Sequence, residues 1–284
     1  MKTIGVIGGS GLYEMDGLLD VKSVSMETPW GSPSSSLVTG TLGGVRMVFL
    51  PRHGTGHTIS PSEINFRANI YAMKAMGVEW IISVSAVGSL KEEIEPGHII
   101  IPDQFVDNTK RRPSTFFEGG VVAHVSMAEP VCSVLSDCLR ETSLGFGETV
   151  HSGGTYVCIE GPQFSTKAES HLYRKWGASV IGMTAMPEAR LAREAEICYS
   201  MIALSTDYDC WKEDHDDVTV SDIIEIMNKN VGAAKKILAA VVDIIPEERA
   251  CLCMSALGCS LITSPECITE ETKNRLRLIV KKYM

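Results

Sequence analysis

The sequence predicts a single-domain α/β protein with an open sheet that carries a ligand site along the carboxyl edge of its strands. Three observations lead there. Short apolar runs of strand length recur at residues 3–7, 45–50 and 80–85, and stretches of helical period separate later runs of the same kind. The three runs stop at small, donor-bearing segments, Gly8-Gly9-Ser10-Gly11, Pro51-Arg52-His53-Gly54 and Ser85-Ala86-Val87-Gly88-Ser89, which is where open α/β sheets bind ligands. No internal repeat, low-complexity tract or Pro/Gly/Ser linker divides the 284 residues, a length that one large domain can use to bury a substantial core.

Composition narrows the function classes. A chain with 44% hydrophobic and 21% charged residues is ordinary for a soluble protein, and a net charge of -9 argues against a general nucleic-acid binder. Small anions remain possible ligands, because a few local donors can hold one against the global field. No signal segment opens the chain, and no apolar run reaches the roughly 18 to 20 residues of a membrane span. A cytoplasmic protein is therefore expected. The nine cysteines are scattered rather than framed as in secreted disulfide proteins.

Taken in order, the first strand enters Gly8-Gly9-Ser10-Gly11, where positive φ and successive amides would suit an anion. The stretch is neither a Walker loop nor a full GxGxxG, so a tight turn and a phosphate site are equal readings. At Pro51-Arg52-His53-Gly54 the arginine offers a planar fork of donors suited to phosphate, with a solvent loop as the competing reading. Residues 64–76 suit a helix apolar on more than one side, stopped by Gly77. Further strands are expected at 98–102, 155–159 and 180–184. Between them, 107–120 reads as a polar loop whose Lys110, Arg111 and Arg112 are solvated, and His124 reads as a packing residue. Ser165 or Thr166, with Glu169 behind, signals a helix start. Phe164 just before it is either a hydrophobic staple or an aromatic wall for a flat base. Pro187 opens a helix to about 196, with Glu188, Arg190, Arg193 and Glu194 directed outward.

The apolar run 197–204 is strand-length, and Asp207 and Asp209 stand at its mouth. Each carboxylate loses hydration there unless it is protonated or paired, which suggests a task; a helix cap or solvated turn is the competing reading. Residues 220–245 form an amphipathic helix expected to cover one face of the sheet. In the tail, Cys251, Cys253, Cys259 and Cys267 lack the spacing of a paired zinc motif and have no histidine beside them. Packing thiols or a disulfide are expected there and a metal is not.

Together with Glu160-Gly161-Pro162-Gln163-Phe164-Ser165, Gly182-Met183-Thr184 and Thr206-Asp207-Tyr208-Asp209-Cys210-Trp211, the three anion-suited segments resemble the 5'-methylthioadenosine phosphorylase family of the trimeric purine nucleoside phosphorylase superfamily. The motifs follow the family order over residues 3–245. Gln163 departs from the arginine of many members, and Gly182 from the asparagine of the animal enzymes.

The resemblance implies the nucleoside phosphorylase fold, a central mixed twisted sheet flanked by helices over residues 1–250, with the tail 251–284 packed on the same domain or on a neighbouring subunit. It implies phosphate binding by Ser10, Arg52, His53, Ser85, Ala86 and Thr184. It implies nucleoside binding by Ala86, Val87, Gly88, Phe164, Ile181, Gly182, Met183, Asp207, Asp209 and Val220, with His124 reaching the 5' side of a neighbouring subunit's ligand. Ser165 and Val220 are expected to set specificity, and Asp207 and Asp209 to be catalytic. Inorganic phosphate would be a co-substrate with no cofactor or metal, and the assembly a homotrimer or a dimer of trimers without nucleic-acid or membrane partners. The implied reaction converts methylthioadenosine and phosphate to adenine and 5-methylthioribose 1-phosphate. A broader purine nucleoside phosphorylase and a non-catalytic nucleoside-binding module are the alternatives.

Overall fold

The computed structural model describes residues 2–212 and 220–283, with the side chains of Ser10, residues 220–225 and Met227 outside that description. It contains one mixed, 11-stranded sheet. In chain order the elements are β1 (Thr3–Gly8), β2 (Leu19–Val24), β3 (Leu37–Leu42), β4 (Val45–Pro51), α1 (Phe66–Ala75), β5 (Trp80–Ser89), β6 (Ile99–Ile101), β7 (Gln104–Asn108), α2 (Ser133–Gly145), β8 (Val150–Ser152), β9 (Thr155–Ile159), α3 (Lys167–Lys175), β10 (Val180–Gly182), α4 (Ala185–Glu194), β11 (Cys198–Asp207), α5 (Val220–Ile244) and α6 (Glu270–Val280). No helix among the described residues is long and apolar enough to cross a membrane.

Strand β5 organises the sheet. Its first half pairs in parallel with β1, Ile4 to Ile7 facing Trp80 to Ser83, while its opposite edge runs in parallel with β11 from Trp80 to Gly88. Its last two residues then pair antiparallel with β10, Gly88 with Ile181 and Ser89 with Val180. Both faces of such a strand are covered, so it reads as a continuous apolar run rather than an alternating one. One core packs α1, α4 and α6 beneath the sheet, and a second packs α2 and α5 on the other side.

Several expectations change. Residues 85–89 are the end of β5 and not a turn, because β11 pairs with Ser85 to Gly88 on one edge and β10 with Gly88 and Ser89 on the other. The glycine turn after β1 takes no positive φ. It enters a short 3-10 turn at Ser10–Tyr13, and Gly8 is required for a different reason: a Cβ there would lie 2.5 Å from Leu12 Cδ1 and 3.2 Å from the Val84 carbonyl. Arg112 is buried and not solvated. Its Nη1 donates to the carbonyls of Met183 and Met186 at 2.7 Å each and its Nη2 to that of Glu160 at 2.6 Å, stitching three loops together. Glu188 and Glu194 point inward, at 0% and 8% exposure. The tail contributes Leu257, Ile268, Leu276, Ile279 and Val280 to the core beside α1 and α4.

The predicted capping box at the start of α3 is present: the Thr166 hydroxyl accepts from the Glu169 amide and the Glu169 carboxylate accepts from that of Thr166. It ends the loop that carries Phe164. That ring is 85% exposed, so it is not the staple of this helix.

Candidate active site

The ends of β1, β4, β5, β10 and β11 and the inner face of α5 enclose a cavity of about 430 Å³, a size suited to a small molecule. Of the expected site residues, Arg52, His53, Ser85, Ala86, Val87, Gly88, Phe164, Ile181, Gly182, Met183, Thr184, Asp207 and Asp209 line it, with Gly9 and Gly11 at the turn after β1. The side chains of Ser10 and Val220 fall outside the described residues. Ser165 does not line the cavity; its carbonyl accepts from the Cys210 thiol at 3.3 Å. His124 is exposed instead of packed, and it lines a separate cavity with Thr115, Phe117, Arg190 and Glu194.

At one end stands Arg52, 2% exposed, on the residue that follows β4. Its fork faces inward. Nε and Nη2 reach the two oxygens of Glu188 at 2.8 and 3.0 Å, Nη2 also reaches Ser83 Oγ at 2.7 Å and the Ile7 carbonyl at 3.1 Å, and Nη1 donates to the Val84 carbonyl at 3.2 Å. Arg52 also lines the cavity. Ser83 and Tyr199 hydroxyls complete the shell of Glu188 at 2.8 and 3.0 Å. The buried carboxylate is thus fully paired, as a charge out of water must be.

His53 follows. Its Nδ1 lies 2.9 Å from the Ile59 carbonyl, which can only accept, so Nδ1 carries the proton and Nε2 of the neutral ring is an acceptor. Burial, with the nearby Arg52 charge adding, lowers its pKa to about 4. His57 stacks on the ring with centroids 4.2 Å apart. Ser85 and Thr184 face each other across β5 and the start of α4, hydroxyl to hydroxyl at 3.1 Å. This end therefore offers hydroxyls and a cation to an anion, and a lone pair to any proton the anion brings.

At the other end are the two aspartates. A register shift between Ser205 and Asp207 re-aims the end of β11. Asp207 Oδ2 accepts from Thr206 Oγ1 at 2.7 Å, and Asp207 Oδ1 accepts from the Asp209 amide at 2.7 Å. The second contact is an Asx-type turn, and it holds Asp209 at φ 52, a conformation Asp tolerates better than most residues. Burial raises the Asp209 carboxyl above the ordinary Asp value, and the charge of Asp207 adds to the rise.

Two glycines make room. A Cβ on Gly88 would come within 3.1 Å of Asp207 Oδ1 and of Ile181 Cγ2. One on Gly182 would lie 2.0 Å from the Tyr156 hydroxyl, so the buried tyrosine explains why no side chain stands there.

Some cavity residues go beyond the sequence-based expectation: Glu188 behind the site, and His57, Thr206, Asn230 and Val231 on its lining. Glu188 and Asn230 share one legible signal. Glu188 lies on the helical stripe Ala185, Ala189 and Ala192, and Asn230 on the stripe Ala234, Ile237 and Val241. A polar residue inside an apolar stripe is buried for a reason. The Asn230 amide donates to the Ser205 carbonyl at 3.1 Å. Among the described residues, the group of side chains disposed to hold a metal ion is a cysteine cluster outside this cavity.

Residues 3–243 match the model of the phosphorylase superfamily. The chain is 61% identical over 284 residues to the S-methyl-5'-thioadenosine phosphorylase of Geobacter sulfurreducens, covering 100% of this chain and 99% of that protein. It is 54% identical over 280 residues to the enzyme of the same name from Koribacter versatilis, covering 99% and 96%. Among solved structures, a methylthioadenosine phosphorylase sourced from an antarctic soil metagenomic library superposes with a TM-score of 0.95 at 48% identity over 98% of both chains. A mutant adenosine/methylthioadenosine phosphorylase from Schistosoma mansoni, in complex with methylthioadenosine, superposes with a TM-score of 0.83 at 36% identity over 90% of this chain and 96% of that one.

Proposed function

Because the chain belongs to the S-methyl-5'-thioadenosine phosphorylases of the phosphorylase superfamily, we propose that its cavity performs the reversible phosphorolysis of 5'-methylthioadenosine to adenine and 5-methylthioribose 1-phosphate. The observation that carries this reading is the polarity of one cavity: anion-suited donors at the end of Arg52, His53, Ser85 and Thr184, and a carboxylate pair at the end of Asp207 and Asp209.

The chemistry needs both ends. Breaking the N-glycosidic bond leaves an electron-poor ribosyl centre and an electron-rich purine. Phosphate at the donor end is both the nucleophile and the electrostatic partner of that centre, so no side-chain nucleophile is required. Its bond to C1' forms as the bond to the purine breaks. Arg52, the Ser85 and Thr184 hydroxyls and the Ala86 amide hold phosphate oxygens, with the Ser10 segment closing the same end. Neutral His53 accepts the phosphate proton at Nε2. Positioning supplies most of the acceleration.

At the purine end one carboxyl of Asp207 and Asp209 carries a proton, a state that burial favours for Asp209 by raising its carboxyl above the ordinary Asp value. That proton goes to N7 as the base leaves, and the ionised partner accepts from the 6-amino group. A 6-oxo group would meet the same carboxylate as a repulsive neighbour, so adenine is favoured over hypoxanthine. Met183 and the Phe164 ring flank the nucleoside, with Val87, Gly88, Ile181 and Gly182 as its floor. The enzyme works without a cofactor or catalytic metal. It acts in the cytoplasm as a homotrimer or a dimer of trimers, in which His124 of one subunit reaches the 5' end of its neighbour's ligand. The exposure of Phe164 and His124 in the single chain supports this assembly.

The test is product analysis after incubation with methylthioadenosine, with and without phosphate. Adenine and 5-methylthioribose 1-phosphate are expected only when phosphate is present. Adenine release in phosphate-free buffer would identify a hydrolase, and faster turnover of inosine than of methylthioadenosine would identify a broader purine nucleoside phosphorylase. Sedimentation at working concentration checks the assembly, where a monomer would remove the role given to His124.

A further inference from the structure

The cysteines that are scattered along the chain converge in the fold. Cys132 precedes the first turn of α2, Cys198 opens β11, and Cys251 and Cys253 flank Leu252 at the short 3-10 turn that begins the tail. Their four sulfurs lie within 4.8 Å of one another, with three of the residues buried and Cys251 half-buried. We propose that Cys132, Cys198, Cys251 and Cys253 form a closed tetrathiolate site for a soft divalent metal ion, zinc above all, which ties the C-terminal segment to the sheet.

Geometry distinguishes this from other uses of four thiols. Zinc bound to four thiolates at about 2.3 Å sets sulfurs about 3.8 Å apart along the edges of a tetrahedron. Cys198 and Cys251 are 3.2 Å apart, far beyond the ~2.05 Å of a disulfide, and the four approach one another as a group instead of as two bonded pairs. Thiolate ligands select soft or borderline ions such as zinc over magnesium or calcium. Four protein ligands leave no open position, which marks a structural site and not a catalytic one.

Charge and access also fit. Each ligating cysteine releases its thiol proton to solvent, so a divalent ion with four thiolates carries two net negative charges. Arg193 Nη1 donates to Cys253 Sγ at 3.5 Å, a cation placed to offset that charge and to orient the ligand. The partial exposure of Cys251 gives the ion an entry path. The ligands come from three distant segments, which is why spacing in the tail alone argues against a metal. Cys259 and Cys267 are exposed and stand apart from the cluster.

The full chain, purified under reducing conditions from zinc-supplemented cells, is expected to hold about one zinc ion per chain by elemental mass spectrometry. Replacement with Co(II) is expected to produce sulfur-to-metal charge-transfer bands and the strong visible bands of tetrahedral cobalt. Cys251→Ser and Cys253→Ser are each expected to lose the metal, whereas Cys259→Ser and Cys267→Ser keep it. Removing zinc with a chelator and reductant is expected to lower Tm, and adding zinc alone to restore it. A reduced wild-type chain that takes up neither zinc nor cobalt would overturn the proposal, as would disulfides among these four residues in metal-free protein from a reducing cytosol. If the serine variants fail to fold, the metal content and cobalt spectrum of the wild-type chain decide it.

Discussion

Glu188 and Arg52 meet fork to fork behind the anion end of the cavity, Oε2 to Nε at 2.8 Å and Oε1 to Nη2 at 3.0 Å, with neither side chain more than 2% exposed. Glu188→Gln keeps the shape and removes the charge. The buried Arg52 cation then loses its counter-ion, and breaking such a pair costs about 3–5 kcal/mol. Urea denaturation is expected to register that loss, and the KM for phosphate is expected to rise more than the KM for nucleoside. An unchanged phosphate KM in a folded variant would separate Arg52 from phosphate binding.

Asp207→Asn is expected to lower kcat/KM on methylthioadenosine by about a hundredfold or more, the scale of a lost general acid–base contribution, and to move preference toward 6-oxopurine nucleosides. Steady-state kinetics on methylthioadenosine and methylthioinosine check both. An unaltered ratio between the two substrates would refute base recognition by this residue.

The alkaline limb of the pH–rate profile is expected to report Asp209. Burial holds the Asp209 carboxyl above the ordinary Asp value, with Asp207 contributing further, so its proton is available below the raised value and is lost as pH rises through it. In the wild-type chain kcat/KM is expected to fall along that limb. Asp207→Asn removes the neighbouring charge and is expected to move the limb to lower pH, measured on residual activity. A limb that does not move would assign the ionisation elsewhere.

His53 bears on stability from the acid side. Its pKa is lowered from 6.5 to about 4 by burial first and by the Arg52 charge next. Between these values the unfolded chain binds a proton that the folded chain does not, so this contribution is intact above 6.5 and drains away as pH falls toward 4. His53→Gln is expected to flatten the Tm-against-pH curve in that window relative to wild type. Parallel curves would exclude the half-buried neutral ring.

Gly88→Ala places a Cβ 3.1 Å from Asp207 Oδ1 and 3.3 Å from Asp209 Cβ. The carboxylates must give way by a few tenths of an ångström. Circular dichroism is expected to show the fold retained while kcat/KM falls by about tenfold or more, as misplaced groups lose alignment. Full activity would show that the purine end tolerates displacement.

Much of this fold and its site is legible in the amino-acid sequence itself. Apolar runs place β1, β4, β9 and β11, and the Thr166 and Glu169 pair places the start of α3, because strand burial and capping are local signals. The exposed hairpin strand β2 and the short β8 escape such a reading, since neither is an apolar run. Residues 85–89 read as a turn because small residues suit both a turn and a strand crowded on each side, and only the neighbours decide. Arg112 and Glu188 read as solvated because charge predicts exposure; their partners, the carbonyls of Met183 and Met186 and the guanidinium of Arg52, are 71, 74 and 136 residues away. The cysteine cluster is hidden by the same sequence distance.

Gly88 pairs with Ile181 on one edge and with Asp207 on the other, while three residues earlier on the same strand Ser85 faces Thr184. The separation between the two ends of the cavity is thus a backbone length and not a side-chain compromise. The site behaves as a caliper. On the proposed reaction it would select a ligand by span, the reach from the anion that attacks C1' to the far edge of the base. An analogue lengthened by one atom between base and sugar is expected to bind poorly however well each half fits alone.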